Sequence, residues 1–395
     1  MKNEQLWTVW SNETTARFQQ IFLEWYESEK RNLPWRANLD PYRIWISEIM
    51  LQQTRVETVI DYYYRFMELF PTITALAQAP DDQLLKAWEG LGYYSRARNL
   101  KIAAQQIVAE YGGKMPETID EIRSLKGIGP YTAGAIGSIA FQLPEPAIDG
   151  NVMRVVSRLF EIDADIAKAS SRKIFDAAMR KIIDQKRPGD FNQALMDLGS
   201  AICTPTSPKC AACPIQEFCR AYQSGTMAEY PVKTKKVKAK DVFYLGAIIE
   251  TKQQEFLLEQ RASIGLLANM WLFPLEEVTE KQFQQLQSQV KQTAASVEQL
   301  SFDLDTLPLV AESPETIFTD YTDVVWQKRA LGTVTHIFSH LKWHILVFYG
   351  RQVGPAKAKE RQRWLKQQEF SEYVFPKPQQ KMLTLFQQEF LRKKT

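Results

Sequence analysis

Cys203, Cys210, Cys213 and Cys219 are the only cysteines in the chain, and they fall within seventeen residues at the spacing C-x6-C-x2-C-x5-C. Thiols gathered this tightly point to one tetrathiolate metal site rather than to scattered core cysteines. Disulfides are disfavoured, because the opening MKNEQLWTVW lacks the basic-then-apolar pattern of an export signal. Zinc and iron–sulfur clusters both accept four thiolates. Structural zinc usually draws on two short CxxC-type pairs set well apart. Here a single CxxC is flanked by spacers of six and five residues, which suits a loop wrapped around the larger [4Fe–4S] cubane, with zinc as the alternative.

A second group of residues suits an anion. The segment Leu125-Lys126-Gly127-Ile128-Gly129-Pro130-Tyr131-Thr132-Ala133 sets two glycines around one apolar residue, just before a helix expected to run to about Phe141. Gly127 and Gly129 permit a tight turn and close approach of backbone N–H groups to an anion, and the helix N-terminus adds its dipole. A plain turn between packed helices is the other reading of GxG alone. Further on, Asp149 in Pro146-Ala147-Ile148-Asp149-Gly150-Asn151-Val152 follows a proline-bearing loop and precedes a helical pattern, where an aspartate serves equally as N-cap. Glu48 lies among Trp45, Ile46, Ile49, Met50 and Leu51, apolar surroundings of the kind that raise a carboxyl pKa; an exposed glutamate on a helix is the other reading of these residues alone.

These groups need elements to position them. At 395 residues and 45% hydrophobic content, the chain is long enough for two or three cores. No apolar run approaches the ~18–20 residues of a membrane span, so a soluble intracellular protein without membrane contact is expected. The net charge of +3 is too small to argue for nucleic acid by itself. Placement says more: five lysines (Lys233, Lys235, Lys236, Lys238, Lys240) fall in eight residues after Pro231, a solvated linker that is also suited to lie along phosphates. Before it, apolar residues recur at helical spacing, and Asp40-Pro41 reads as an N-cap followed by proline at the first helical position. Residues 1–230 should therefore be nearly all helix, and 231–240 a linker. After it, 242–250 and 256–260 read as a hairpin, Trp343–Tyr349 as a strand and Val278–Leu300 as a helix, giving an α+β domain over 241–395.

The ordered triplet of GIG-P-Y-T-A, P-x-x-D-G-N-V and the four-cysteine loop resembles the helix-hairpin-helix DNA glycosylase superfamily, including endonuclease III. Trp45 to Val56 (WISEIMLQQTRV) and Leu91 to Leu100 (LGYYSRARNL) are similar to signatures of its MutY-type adenine glycosylases. The resemblance covers residues 16–222 densely and the remainder more loosely. It implies a six-helix module over about 34–145 and a cluster module from about 1–33 and 146–225. It also implies a hairpin that grips a DNA phosphate, often with a monovalent cation. Asp149 becomes the catalytic aspartate and Glu48 the acid that protonates adenine N7. Tyr131 would hydrogen-bond Asp149, and Asn151 would orient the hydrolytic network. Relatives with lyase activity carry a lysine where this chain has Tyr131. A phenol forms no imine, so a monofunctional glycosylase is implied.

The same resemblance assigns DNA contacts. Leu51, Gln53 and Thr54 would probe the widowed base once adenine has left the stack. Tyr93 would intercalate beside 8-oxoguanine, and Arg31, Trp35 and Gln193 would line the adenine pocket. Gln193 is a departure, since some relatives have glutamate there. Arg96 and Arg98 are candidate phosphate contacts. The C-terminal region, with GLLANMWLFP, looks like a Nudix-like domain, but LEEVTEKQFQQLQSQVKQ lacks the glutamate-dense helix that holds metal for hydrolysis. It should bind rather than hydrolyse, with Phe338, Ser339 and His340 contacting the lesion. The expected partner is double-stranded DNA containing A opposite 8-oxoguanine, bound by a monomer in a bacterial cytoplasm and associated with the nucleoid through DNA.

Overall fold

The structure, a computed structural model, describes residues 10–234, 239–295, 313–327 and 329–392. Lys235, Lys236 and Lys238 of the basic segment, and the end of the expected Val278–Leu300 helix, lie outside the described residues. The chain divides into two compact units, Met1–Ala87 with Ser95–Lys236, and Trp88–Tyr94 with Val237–Thr395.

The first unit is helical among its described residues. Its helices are α1 (Asn12–Glu29), α2 (Pro41–Leu51), α3 (Val56–Leu69), α4 (Ile73–Gln78), α5 (Asp81–Ala87), α6 (Ser95–Tyr111), α7 (Ile119–Ser124), α8 (Pro130–Phe141), α9 (Gly150–Phe160), α10 (Arg172–Ile182), α11 (Pro188–Ala201) and α12 (Arg220–Ser224). Their starts obey local chemistry. Asp40 accepts a 2.9 Å hydrogen bond from the Tyr42 N–H, with Pro41 at the first position of α2. Such a cap satisfies an amide that the helix itself leaves unpaired. Phe18, Phe22, Val152, Phe160, Phe175, Phe191, Leu195, Ile215 and Phe218 share one core. That core ties the cysteine-bearing segment to α9, the helix that begins at Asp149.

Close packing fixes the loop ahead of Asp149. A Cβ at Gly134 of α8 would stand 2.2 Å from the Pro146 carbonyl oxygen, so only glycine lets this loop lie on the helix. Fully buried Asn192 of α11 then latches it: the amide accepts from the Ala147 N–H (3.1 Å) and donates to the Ser138 hydroxyl and the Glu145 carbonyl (both 2.9 Å).

The second unit carries strands β1 (Lys240–Glu250), β2 (Glu255–Gln260), β3 (Trp271–Leu272), β4 (Leu275–Val278), β5 (Val324–Trp326), β6 (Gly332–Ile337), β7 (Leu341–Gln352) and β8 (Gln362–Lys366), with helices α13 (Glu280–Ala295), α14 (Pro314–Ile317) and α15 (Lys377–Arg392). The strands form one mixed sheet in the order β3-β2-β1-β7-β5, with β4, β6 and β8 added on β1, β7 and β2. The expected hairpin is β1–β2, antiparallel with Glu250 opposite Phe256. At its centre β1 runs parallel to β7, with Tyr244 opposite Ile345. A parallel pair has both faces to cover, and the inward residues Leu245, Ala247, Ile249, Leu346 and Phe348 are buried with Phe283 and Leu286 of α13.

Candidate active site

Glu48 sits on α2 and is 5% exposed. It faces a cleft of about 440 Å³ lined also by Arg31, Trp35, Arg36, Leu51, Thr54, Tyr131, Asp149, Asn151, Gln193 and Met196. That volume lies within the range of small-molecule sites. Burial pushes the Glu48 pKa from 4.5 up to about 7, a hydrogen bond from Tyr131 pulls it back, the charge of Asp149 raises it and that of Arg36 lowers it. A carboxyl so placed can hold or give up a proton near neutral pH, and it lines the cleft.

Tyr131 departs from expectation. Its hydroxyl donates to Glu48 Oε2 at 2.5 Å and lies 3.9 Å from Met196 Sδ, instead of bonding Asp149. The reason is placement: Tyr131 opens α8, which packs along α2, whereas the oxygens of Asp149 are engaged by α9. Asp149 Oδ1 accepts from the Val152 N–H at 2.7 Å, and Oδ2 accepts from the Asn151 amide at 3.0 Å. Burial raises the Asp149 pKa too, but the donors Val152 and Asn151 and the charge of Arg154 oppose the rise. Two carboxyls in one cleft are thus told apart by their surroundings, one dry with a phenol, the other at a helix N-terminus with two N–H donors.

Asn151 continues a chain of contacts. Its carbonyl accepts from Arg154 (2.9 Å), whose guanidinium also donates to the Gly199 carbonyl (2.7 Å) and the Cys203 carbonyl (2.9 Å). Asp149 and the first cysteine are therefore joined through two side chains, Asn151 and Arg154, on one turn of α9.

The DNA-contact candidates fall in distinct places. Leu51, Thr54, Arg31, Trp35 and Gln193 line the cleft, while Gln53 is exposed beside it. Gln53 (φ 62°) and Tyr93 (φ 47°) both hold left-handed backbone, a conformation that costs a residue with a side chain and gathers at functional sites. Gly127 has φ 78°, and a Cβ there would meet Asn99 Cβ at 2.6 Å; Gly129 caps α8 with open space on its Cα face and Pro130 next in line. The hairpin thus presents bare backbone. Arg96, in contrast, is taken up internally, donating to the Ile49 (2.6 Å) and Gln52 (2.7 Å) carbonyls and so closing the C-terminal end of α2.

In the second unit, Phe338, Ser339 and His340 form the turn between β6 and β7, closed by a 2.7 Å hydrogen bond from the Phe338 N–H to the Leu341 carbonyl. Phe338 packs edge-on against Trp343, with ring centroids 4.9 Å apart, leaving Ser339 and His340 exposed. The Tyr93 and Ser339 hydroxyls of this unit lie 2.9 Å apart.

The four cysteines line one small space with Arg158, Ile202, Pro208 and Met227. Burial pushes Cys213 up to about 12 and Cys219 to about 11. Four thiols around one space are the donor set of a tetrathiolate metal group, whose positive charge would hold them as thiolates. Buried Arg158 donates to Cys203 Sγ at 3.3 Å and to the Thr204 carbonyl at 2.8 Å. Among the described residues no three Cys, His, Asp or Glu side chains converge as a single ion needs.

Family models match segments of both units. The family model for HhH-GPD superfamily base excision DNA repair proteins matches residues 46–181. The iron–sulfur binding domain of endonuclease III matches 203–219, and a NUDIX domain matches 245–385. The adenine DNA glycosylase of Rattus norvegicus is 34% identical over 426 residues, covering 94% of this chain and 78% of its own. The chain belongs to the adenine DNA glycosylase family. The Buchnera aphidicola (subsp. Baizongia pistaciae) adenine DNA glycosylase is 39% identical over 267 residues, covering 66% of this chain and 74% of its own. The structure of a thermostable thymine-DNA glycosylase superposes with a TM-score of 0.50 at 28% identity, over 54% of this chain and 98% of that one. As an adenine DNA glycosylase, the protein is a base excision repair enzyme that acts on DNA, with an iron–sulfur binding domain and a Nudix-like second domain.

Sequence reasoning missed several residues of this adenine glycosylase's cleft. Arg36, Met196 and Ser200 line it, and Asp197 stands behind it, bonded to both Arg31 and Arg36. A signal existed on α11: Gln193, Met196, Asp197 and Ser200 recur at i, i+3, i+4 and i+7, one face of a helix.

Proposed function

We propose that this glycosylase removes adenine paired with 8-oxoguanine and does so without lyase chemistry. The observation that carries the reading is Glu48, a buried carboxyl with a pKa near 7 beside Tyr131, facing the same cleft as Asp149. Adenine is a poor leaving group as an anion. Glu48 gives its proton to N7, the C1′–N9 bond breaks and the bond's electron pair leaves with the base as neutral adenine. The Asp149 carboxylate stabilises the cationic sugar. Ionised Glu48 then takes a proton from the water that attacks C1′, leaving an abasic sugar and a reprotonated acid. Tyr131 orients Glu48, Asn151 holds Asp149, and Arg31, Trp35 and Gln193 meet the flipped base. No amine stands at position 131, so the sugar is not captured as an imine and the strand stays intact.

Lesion reading is assigned to Tyr93 with Phe338, Ser339 and His340, and the 2.9 Å contact of the Tyr93 and Ser339 hydroxyls supports a shared face. Gln53, Leu51 and Thr54 meet the gap left by the flipped adenine. Gly127 and Gly129 take a phosphate, with a monovalent cation on the turn's carbonyls. The four cysteines hold a [4Fe–4S] cluster, supported by their gathering around a common space and by the spacing C-x6-C-x2-C-x5-C. Bound there, the cluster supplies the charge that keeps the thiolates ionised and staples the loop to α9.

Single-turnover release of adenine from duplexes holding A opposite 8-oxoguanine, G or T tests this reading. Fastest release opposite 8-oxoguanine is expected, with the preference over G narrowed in Ser339→Ala. Equal rates opposite 8-oxoguanine and G would remove the lesion assignment, and release of uracil or thymine in place of adenine would remove the base assignment.

A further inference from the structure

We propose that Asp197 is a positioning residue that holds Arg31 and Arg36 at the cleft and cancels their charge where it faces Glu48. Its carboxylate is 5% exposed and receives two guanidinium groups at once: Arg31 donates to Oδ1 from Nε (2.9 Å), and Arg36 donates to Oδ2 (2.7 Å) and Oδ1 (3.2 Å). Arg36 is itself mostly buried, stacks over Tyr26 at 5.7 Å and reaches the Arg31 carbonyl at 3.4 Å. Both arginines line the cleft, whereas Asp197 lies behind them on α11 and does not. It therefore acts through its partners rather than on the substrate.

The chemistry explains why a buried anion belongs there. This inference rests on the reading of Glu48 as the acid, which must carry a proton at neutral pH. The charged or titratable groups facing Glu48 come from every wall: Arg36 from the turn after α1, Tyr131 from α8, Asp149 from the start of α9, and Arg31, Arg55 and Glu57 from the rim. Of these, Arg36 is the cation whose charge favours the Glu48 carboxylate. Left alone, it would favour the Glu48 carboxylate more strongly and lower the pKa of the acid. Asp197 occupies its guanidinium with two hydrogen bonds and an opposite charge, so Arg36 remains at the pocket wall to meet the base while its field on Glu48 is reduced.

The test is the pH dependence of single-turnover adenine release at saturating enzyme, with circular dichroism and the visible absorbance of the cluster as controls for folding. Wild type should lose activity as pH rises through a limb set by Glu48, and Glu48→Gln should release little adenine at any pH. Asp197→Asn should move that limb to lower pH by roughly one unit, the effect of an uncompensated cation near a buried carboxyl. Its rate would then be about tenfold lower above the limb and near wild type below it. Asp197→Glu should keep the limb in place. If Asp197→Asn does not fold, Arg36→Gln reads the same coupling from the other side and should move the limb to higher pH. A uniform fall in rate with the limb unmoved, in either variant, overturns the proposal while leaving Glu48 as the acid. A wild-type profile with no such limb overturns the reading of Glu48 and this proposal with it.

Discussion

Replacing Glu48 by glutamine should make the protein more stable, and by an amount that grows with pH. Glu48 is buried, and its pKa stands at about 7 against an ordinary 4.5. At ~1.4 kcal/mol for each tenfold in the proton equilibrium, that difference comes to roughly 3 kcal/mol. The direction follows from the two end states. Below 4.5 the folded and unfolded chains are both protonated and the burial of Glu48 carries no charge penalty. Between 4.5 and about 7 the unfolded chain releases its proton while the folded chain keeps it, so stability falls as pH rises. Above that window both are ionised and the whole penalty applies. Glutamine has the same shape, accepts the Tyr131 hydroxyl through its carbonyl and never ionises. Glu48→Gln should therefore gain less than about 1 kcal/mol at pH 5 and roughly 3 kcal/mol at pH 8, while losing adenine release. For a unit of this size the pH 8 gain corresponds to a rise in Tm of roughly 5–10 °C. Thermal unfolding followed by far-UV circular dichroism at the two pH values measures it. An equal shift at both, or a lower Tm for the variant at pH 8, would refute the assignment of Glu48 as a neutral buried acid.

Tyr131→Phe removes the donor that favours the Glu48 carboxylate, so the limb of the pH–rate profile should move to higher pH, with an overall loss on the order of tenfold from a misoriented carboxyl; single-turnover rates across pH decide it. Gly127→Ala forces a side chain into φ 78° and against Asn99, at a cost of about 1–2 kcal/mol. Affinity for duplex DNA, measured by fluorescence anisotropy, should fall while the rate at saturating enzyme holds. Cys213→Ser should abolish the visible absorbance of the cluster and lower the Tm of the helical unit, because its segment shares a core with Phe18, Phe160 and Phe191.

What was legible in the sequence was local. Asp40 followed by Pro41, Gly127 and Gly129 before Pro130, and the β1–β2 turn each state their geometry within a few residues, because caps and positive-φ turns depend on adjacent side chains. The four cysteines were legible for the same reason, as were the apolar neighbours of Glu48. What was hidden was long range. Asp197 meets Arg31 and Arg36 from 166 and 161 residues away, and a buried aspartate inside a helix resembles a surface one until its partners are known. Tyr131 was placed against Asp149 because both belong to neighbouring motifs, but the α2–α8 packing gives its hydroxyl to Glu48. Arg96 carried the charge of a phosphate contact and instead closes the end of α2, a use of arginine that only the folded backbone reveals. The parallel pairing of β1 with β7, about a hundred residues on, has no local signal either.

The central claim is that Glu48 protonates adenine and that no amine captures the sugar. Single-turnover reaction of a duplex with one A opposite 8-oxoguanine, analysed with and without alkali for wild type and Glu48→Gln, tests both halves together. Strand breaks that appear only after alkali and vanish in the variant are the predicted result. Breaks without alkali, or undiminished adenine release by Glu48→Gln, would contradict the account.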